Sequence, residues 1–161
     1  MVRVGIGYDS HRLAPPGPLV LGGVRIPADV HLEGHSDGDA VAHALVDALL
    51  RAVAAGDIGE MFSDRDPQNR GRDSIEMLRV GVGRLRTAGW RVQQVDVAII
   101  AEQPRIAPYR DEMRRVLAAA LGINDGDVSI KGKSNEGMGF IGRAEGIACI
   151  VVATVAATEA R

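Results

Sequence analysis

The first segment of the chain alternates between two kinds of side chain, the pattern of a β-strand with two distinct faces. One face carries the apolar residues Val2, Val4, Ile6 and Tyr8, and the other carries Gly5, Gly7, Asp9 and His11. Because Asp9 and His11 are two residues apart in this strand, their side chains project from the same face. That arrangement suits two ligands that share one metal ion.

A pattern of helical period follows the polar run 35–39. Apolar residues recur at i, i+4, i+7 and i+11 in Val41, Leu45, Ala48 and Ala52, which predicts a helix to about Ala55. We interpret Ser36 as its N-cap, with Asp39 three residues later completing a capping-box pattern. His43 lies off the apolar stripe, on a face shared with Asp39 and Asp47, and we expect these carboxylates to fix one ring nitrogen while the other binds a metal. The alternative is a solvated helix face that happens to carry a histidine.

The later pattern predicts two further helices and several strands. Asp73 and Glu76 form a second capping-box pattern before a helix to about residue 87, whose buried stripe is predicted to be Ile75, Leu78, Val82 and Leu85. A third helix ends at Leu121 and is closed by Gly122. The predicted strands are a hairpin of Leu19–Leu21 and Val24–Ile26, and the segments 92–101, 128–132 and 145–158. The polar stretch 57–71 is predicted to be a long loop without regular structure and is a candidate lid, and 134–142 is predicted to be a glycine-rich loop.

The whole pattern predicts an α+β fold. With 161 residues, of which 46% are hydrophobic, the chain is expected to form a single domain over 1–161 with a sizeable core. Because several connections are hairpins, we expect a sandwich of one mixed sheet with helices on one face. The uncovered face of the sheet needs a partner, and oligomerisation is the simplest way to bury it.

Composition narrows the classes of function. A net charge of −2 and an aromatic content of 3% argue against a nucleic-acid partner or an anionic membrane surface. The longest apolar stretch, 147–157, is too short to span a membrane. The single Cys149 lies in an apolar run and is interpreted as a buried small hydrophobe, which suits a reducing compartment. No pattern of a secretory signal is recognised at the start. We therefore expect a cytoplasmic protein.

Three groups of residues are candidates for chemistry. Asp9, His11 and His43 form a plausible set of three ligands for zinc or a similar divalent ion, and three ligands leave the fourth position open. The segment 131–137 contains both lysines of the chain, Lys131 and Lys133. Its backbone amides, an ammonium group and the glycines suggest an anion cradle, although an ordinary polar turn would show the same pattern. The proline-bent segment 101–105 offers backbone groups that could bind a base edge.

Taken together, these pieces resemble one family, the 2-C-methyl-D-erythritol 2,4-cyclodiphosphate synthases of the non-mevalonate route to isoprenoids. The resemblance rests on five motifs that follow one another in order over essentially the whole chain. They are GYDSH at 7–11, HSDGD at 35–39, GDIG at 56–59, DRDP at 64–67 and GRAEG at 142–146. The combination of the first two motifs is specific, whereas each alone is modest.

The resemblance implies a reaction and the groups that assist it. The 2-phosphate of 4-diphosphocytidyl-2-C-methyl-D-erythritol 2-phosphate attacks the β-phosphorus and expels CMP, which makes the enzyme a phosphorus–oxygen lyase. Asp9, His11 and His43 would hold a divalent metal, usually zinc. Glu136 would hold a second metal, usually magnesium or manganese, on the nucleotide phosphates. His35 and Ser134 would stabilise the transition state.

The resemblance also implies how the substrate is bound. His35 and Ser36 would touch the substrate phosphate, near Asp9 and His11, and Asp57 would hold the erythritol hydroxyls. The backbone of Ile58 and Gly59 would help Asp57, and the loop of Phe62, Ser63, Asp64, Arg65 and Asp66 would close over the sugar. The cytidine pocket would be lined by Ala101, Pro104, Arg105, Gly132 and Lys133. The remaining implied substrate-binding residues are Asn135, Phe140 and Arg143.

The implied assembly is a homotrimer with active sites between neighbouring subunits. Asp9, His11, His35 and His43 would come from one chain, and the segments around Ala101 and Lys133 from the next. Arg143 and Glu145 would lie near the three-fold axis.

The sequence departs from the family pattern in two places, and two other classes of function stay open. The stretch before the glutamate is often a run of threonines, but here it is Lys133, Ser134 and Asn135, so Ser134 must supply the hydroxyl. Ser63 replaces a frequent proline in the lid. A zinc-dependent phosphohydrolase would use the same three ligands with water in the open position and His35 as its general base. A metal-stabilised nucleotide-binding module is the non-catalytic alternative.

Overall fold

The computed structural model describes residues 1–158. Its main sheet has five strands in the order β4-β1-β7-β5-β6, namely β1 (Val2–Ala14), β4 (His31–Leu32), β5 (Trp90–Ile100), β6 (Val128–Lys133) and β7 (Gly146–Ala157). β5 and β6 pair in parallel and the other neighbours are antiparallel, so the sheet is mixed. The predicted hairpin is present as β2 (Leu19–Leu21) and β3 (Val24–Ile26), but it forms a separate two-stranded sheet.

Three longer helices cover one face of the main sheet: α1 (Ala40–Ala52), α3 (Ser74–Thr87) and α4 (Arg110–Leu121). α1 packs on β1 and β7, α3 on α1 and β5, and α4 on α3 and β6. The stripe predicted for α3 is buried, and Gly122 ends α4 in the left-handed conformation with φ of 73°. The α+β fold with a mixed sheet is therefore confirmed. Within residues 1–158 no helix is both long and apolar enough to cross a membrane.

Two glycines bring α1 directly onto β1. A Cβ atom on Gly5 would lie 1.9 Å from the carbonyl oxygen of Ala48, and one on Gly7 would lie 1.9 Å from that of Ala44. Any side chain at these positions would push the helix off the strand. The close packing places His43, on α1, above Asp9 and His11, which follow the glycines on the same strand face.

The start of α1 differs from the prediction. Asp39, not Ser36, is the N-cap, because its Oδ1 atom accepts hydrogen bonds from the backbone N–H groups of Val41 and Ala42 at 3.1 and 3.2 Å. The same carboxylate accepts from the amides of Gly22 and Gly23 at 2.9 and 2.7 Å, so it also fastens the hairpin turn to the helix. Burial raises the pKa of Asp39 despite these hydrogen bonds.

Two segments predicted as loops contain short helices. The candidate lid includes α2 (Ile58–Met61), capped by Asp57, and a 3-10 turn at Pro67–Asn69. Phe62 within it is only 6% exposed and lies against the guanidinium of Arg72, 4.9 Å from the ring centroid. The glycine-rich loop contains α5 (Gly139–Gly142). The prediction that both stretches lack regular structure is therefore wrong.

The other face of the main sheet carries exposed apolar side chains. Val4 is 64% exposed and Ile6 58%, and the neighbouring strand contributes Ile150 and Val152, which are 39% and 40% exposed. Val2 and Tyr8 extend the same patch. Cys149 points the other way into the core, where burial raises the pKa of its thiol.

Candidate active site

Three of the residues predicted as metal ligands meet at the end of β1. The Nε2 atom of His11 lies 2.7 Å from Oδ2 of Asp9, and Nδ1 of His43 lies 3.2 Å from the same oxygen. The two ring nitrogens are 3.1 Å apart. Ligands of a tetrahedral zinc ion lie roughly 3.3 Å from one another, as expected from metal–ligand distances of about 2.0–2.2 Å. One carboxylate oxygen and two imidazole nitrogens therefore converge as a divalent cation requires, and this cluster is the predicted one.

The second ring nitrogen of each histidine is held by another group. Nδ1 of His11 lies 2.6 Å from the carbonyl oxygen of Glu33, to which it donates. Nε2 of His43 lies 2.8 Å from Oγ of Ser74, a side chain with no solvent exposure. The hydroxyl of Ser74 donates in turn to the carboxylate of Asp37. These bonds turn His11 Nε2 and His43 Nδ1 toward Asp9, as in metal sites whose histidine ligands are oriented by further hydrogen bonds.

The expected orienting role of Asp39 and Asp47 is wrong. Asp39 caps α1, and Asp47 accepts a hydrogen bond from the backbone N–H of Ile58 at 2.8 Å. Asp47 thus joins α1 to the segment that follows Asp57. Its burial raises the pKa of its carboxyl group. The orienting partners of His43 lie instead before α1 and at the start of α3.

The triad shapes its own electrostatics. Burial alone would raise the pKa of Asp9, but hydrogen bonds and charge attraction from His11 and His43 outweigh it and leave the pKa below its usual value. Burial likewise opposes the charged form of His11, yet the pKa of His11 is raised because Asp9 lies against it. Without a metal, the pair therefore favours a carboxylate beside an imidazolium.

A cavity of about 290 Å³ opens above the triad. His35 and Ser36 line it, and Ser36 Oγ lies 2.8 Å from His43 Nε2. Nε2 of His35 is buried without a hydrogen-bond partner in the described part of the chain. A buried polar atom of this kind is available for a ligand that enters the cavity. The predicted residues Ile58, Gly59, Phe62 and Asp64 also line the cavity, together with Gly34, Asn69 and Met77.

Four predicted residues of the same segment lie outside the lining. Asp57 caps α2 through a 3.0 Å bond from the N–H of Glu60. Ser63 accepts from the N–H of Arg65, and Asp66 accepts from that of Gln68. In one chain, therefore, the side chains of Asp57, Ser63 and Asp66 and the backbone N–H of Arg65 support the local turns of the segment, while neighbouring residues form the wall of the cavity.

A second cavity of about 310 Å³ lies at the ends of β5 and β6. The residues predicted to line the cytidine pocket, Ala101, Pro104, Arg105, Gly132 and Lys133, all line it. Ser134, predicted to stabilise the transition state, lines it too, as do Glu102, Ile106, Ala107 and Arg110. Lys131, by contrast, pairs with Asp96 at 2.9 Å and lowers the pKa of that carboxyl. Within one chain this cavity shares no lining residue with the cavity above the triad.

The loop after β6 is not the open anion cradle that the sequence suggested. Oε1 of Glu102 accepts from the N–H groups of Asn135 and Gly137, at 2.9 and 3.2 Å. Glu136 between them has a φ of 53° and donates its N–H to Ser134 Oγ at 3.3 Å. The backbone amides thus already hold a carboxylate of the same chain, a contact that sequence reasoning missed.

The last predicted residues lie beside a third, smaller cavity. Phe140 lines it together with Ser10, His11, Arg12, Glu145 and Gly146. The guanidinium of Arg143 donates to Glu145 at 2.8 Å on the surface, which raises the pKa of Arg143 and lowers that of Glu145.

Comparison with known proteins relates this chain to a family of synthases. The profile of the YgbB family matches residues 2–156. The 2-C-methyl-D-erythritol 2,4-cyclodiphosphate synthase of Gemmatimonas aurantiaca is 56% identical over 157 residues, which cover 98% of this chain and 95% of that protein. The corresponding synthase of Chromobacterium violaceum is 49% identical over 156 residues, 97% of this chain and 99% of that protein.

Solved structures agree with the sequence comparison. The bifunctional IspDF of Campylobacter jejuni superposes with a TM-score of 0.93 at 33% identity, over 96% of this chain and 42% of that longer chain. IspF of Plasmodium falciparum, solved as a CDP complex, gives a TM-score of 0.86 at 32% identity, with 98% of this chain and 97% of that chain covered.

Proposed function

The chain belongs to the YgbB family, that of the 2-C-methyl-D-erythritol 2,4-cyclodiphosphate synthases, and we propose that it forms the cyclic diphosphate at the site of Asp9, His11 and His43. It converts 4-diphosphocytidyl-2-C-methyl-D-erythritol 2-phosphate to the cyclic diphosphate and CMP, a step of the non-mevalonate isoprenoid pathway. One observation carries the proposal. The Asp9 carboxylate and the imidazoles of His11 and His43, each held by a further hydrogen bond, converge beside a cavity into which His35 offers an unpartnered nitrogen.

The reaction is a ring closure within one molecule. An oxygen of the 2-phosphate forms a bond to the β-phosphorus, and the bond from that phosphorus to the oxygen bridging it to the α-phosphate breaks. The leaving CMP takes the electron pair. Because the second pKa of a phosphate monoester is about 6, the nucleophile is largely ionised at neutral pH and no general base is required. The obstacles are repulsion between anions and the flexibility of the chain that must close.

The residues of the triad address the repulsion. Asp9, His11 and His43 would hold a divalent ion, and zinc fits the mixed oxygen and nitrogen donors and the open fourth position. When bound, such an ion neutralises phosphate charge and polarises the P–O bonds. The hydrogen bonds from His11 to Glu33 and from His43 to Ser74 keep both rings in the orientation that ligation needs.

The remaining residues of this cavity orient the substrate. His35 offers its unpartnered Nε2 atom, and Ser36 its hydroxyl, to the substrate phosphates, either the attacking 2-phosphate or the β-phosphate that is attacked. The backbone of Ile58 and Gly59 lines the space for the erythritol portion, with Phe62 and Asp64 beyond it. Asp57 binds the erythritol hydroxyls through the carboxylate oxygen that does not cap α2. Ser63, Arg65 and Asp66, which lie outside the lining in one chain, belong to the segment that closes over the sugar when the substrate is bound.

The second cavity holds the cytidine diphosphate end. Ala101, Pro104, Arg105, Gly132 and Lys133 surround the nucleotide, consistent with the CDP complex of the Plasmodium falciparum relative. Ser134 at its edge donates to the reacting phosphate. Glu136 would hold a second ion, magnesium or manganese, which would neutralise charge on the diphosphate. Asn135 supports this loop, and Phe140 and Arg143 border the site.

Two separate half-sites imply that the active site is shared between subunits. The metal-bearing half and the nucleotide half lie in different cavities of one chain, so a neighbouring copy must bring them together. The exposed apolar face of the sheet supplies the contact surface for a homotrimer, with Arg143 and Glu145 near its axis. We place this assembly in the cytoplasm, in keeping with the single buried cysteine.

Mixed oligomers test the shared site. His43→Ala damages the metal-bearing half and Ser134→Ala the nucleotide half, and each purified variant alone should be nearly inactive in forming CMP and cyclic product. After the two are unfolded together and refolded as a mixture, roughly a quarter of the sites combine two intact halves, which should restore that share of activity. If mixing restores nothing while both variants still assemble, the site is contained in one chain.

A further inference from the structure

Glu102 is a half-buried carboxylate at the border of the nucleotide cavity. The backbone N–H of Ala101 donates to the carbonyl of Lys133 at 2.9 Å, which extends the parallel pairing of β5 and β6 beyond both strands. This bond places Glu102 next to the loop after β6. A single oxygen of its side chain then accepts two backbone hydrogen bonds, from Asn135 and Gly137.

These two amides flank a residue in an unfavourable conformation. Glu136 has a φ of 53° and Gly137 one of 71°, so two successive residues are left-handed, a region that side chains beyond glycine rarely adopt. The N–H groups of Asn135 and Gly137 both turn inward toward one oxygen, and a concavity lined by backbone N–H groups in a turn binds an anion. Here the anion is Glu102, and its carboxylate holds the loop in the shape that the residue at 136 would otherwise resist.

The loop so held carries two groups of the proposed reaction. Ser134 and Glu136 touch each other, with Oγ and Oε1 3.4 Å apart. Their placement depends on the backbone between them and on the close approach of Gly137 to Gly142. A Cβ atom on Gly142 would lie 2.0 Å from the carbonyl carbon of Gly137. A shift of about 1 Å in such groups is enough to reduce turnover by roughly a hundredfold.

We propose that Glu102 is a positioning residue for the reaction, which sets the geometry of Ser134 and Glu136 by filling the amide concavity of residues 135–137. The proposal rests on the proposed function. Glu102 acts in this role through the length of its side chain and its acceptor oxygen, and its negative charge is not required. A direct role as a cation ligand is the competing explanation, because Glu102 also lines the nucleotide cavity.

Three substitutions of Glu102 separate the effect of side-chain length from the effect of the carboxylate charge. Glu102→Gln keeps the length and an oxygen that can accept both hydrogen bonds but removes the charge. Glu102→Asp keeps the charge but is one methylene too short, and Glu102→Ala removes both. Glu112→Gln, at an exposed position in the first turn of α4, is the matched control for loss of one carboxylate.

Amide hydrogen exchange of Asn135 and Gly137 gives a readout that does not depend on the reaction. Exchange of these two amides should be at least about tenfold faster in Glu102→Asp and Glu102→Ala than in the wild type, and unchanged in Glu102→Gln and the control. The kcat should fall about 10- to 100-fold in the first two variants, with KM within about threefold, and stay within about threefold of wild type in Glu102→Gln.

Each contrary result is decisive. If Glu102→Gln is as slow as Glu102→Ala while its amides stay protected, the charge acts directly and the positioning role is wrong. Equal exchange and equal kcat in Glu102→Asp and wild type would also overturn it. Should Glu102→Ala not fold, the Gln and Asp variants still decide the matter. Absence of cyclic product from the wild type would instead count against the proposed function, and the exchange data would stand independently.

Discussion

Nε2 of His43 lies 2.8 Å from Oγ of Ser74, a hydroxyl whose own proton is directed at Asp37. The oxygen of Ser74 is therefore an acceptor for the imidazole, which fixes the tautomer with a proton on Nε2. The lone pair on Nδ1 then faces Asp9 and His11. The groups that orient the Asp9–His11–His43 triad thus reach from α1 across to the start of α3.

Loss of this hydroxyl should weaken metal binding. We expect Ser74→Ala to lower the affinity for Zn²⁺ by about 10- to 100-fold, the usual effect of removing an outer partner of a metal-bound histidine. Competition with a chromophoric chelator measures the affinity directly. Ser129→Ala, at an exposed position of β6, is the control. Equal affinity of Ser74→Ala and wild type would contradict the role assigned to Ser74.

Metal binding should release a proton near neutral pH. The pKa of His11 is raised because Asp9 outweighs the effect of burial, so the metal-free site keeps a proton on His11 to a higher pH than an isolated histidine would. The proton must leave before Nε2 can bind a cation. Apparent affinity should therefore rise with pH until His11 is neutral, and fall in acid. Calorimetric titrations in buffers of different ionisation enthalpy count the released protons, and a count of zero at pH 6 would contradict this prediction.

The exposed apolar sheet face should control assembly. Placing a charge in it by Ile6→Asp should convert the proposed trimer largely to monomers, because a buried unpaired carboxylate costs several kcal/mol at an interface. Val80→Asp, at a position 40% exposed on α3, is the matched control and should leave the mass unchanged. Light scattering at micromolar concentration distinguishes the two. A monomeric wild type would remove both the trimer and the shared site.

Much of the fold could be predicted from periodicity alone. The stripe of α3 and its N-cap Asp73 were correctly predicted, because the relevant contacts lie within one helix. The start of α1 was misassigned because Ser36 and Asp39 are both good caps three residues apart. The choice between them depends on the amides of Gly22 and Gly23, which bond Asp39 from a distant part of the chain.

The candidate site shows the same limit. The ligands Asp9, His11 and His43 were predictable, because strand alternation and motif resemblance both indicated them. Their supporting groups were not. Ser74 meets His43 only because α3 packs on α1, and Glu102 reaches Gly137 only because β5 and β6 end side by side. Neither position has a local sequence signal that marks it.

The source of the oxygen in the product tests the central claim most directly. Ring closure by the substrate's own 2-phosphate takes no atom from solvent, whereas hydrolysis by a zinc-bound water, with His35 as base, adds one. The wild-type enzyme is incubated with 4-diphosphocytidyl-2-C-methyl-D-erythritol 2-phosphate and Mg²⁺ in oxygen-18 water, and the products are weighed by mass spectrometry. We predict CMP and a cyclic diphosphate, both without label. Oxygen-18 in either product would show that water is the nucleophile and that the chain is not a cyclase.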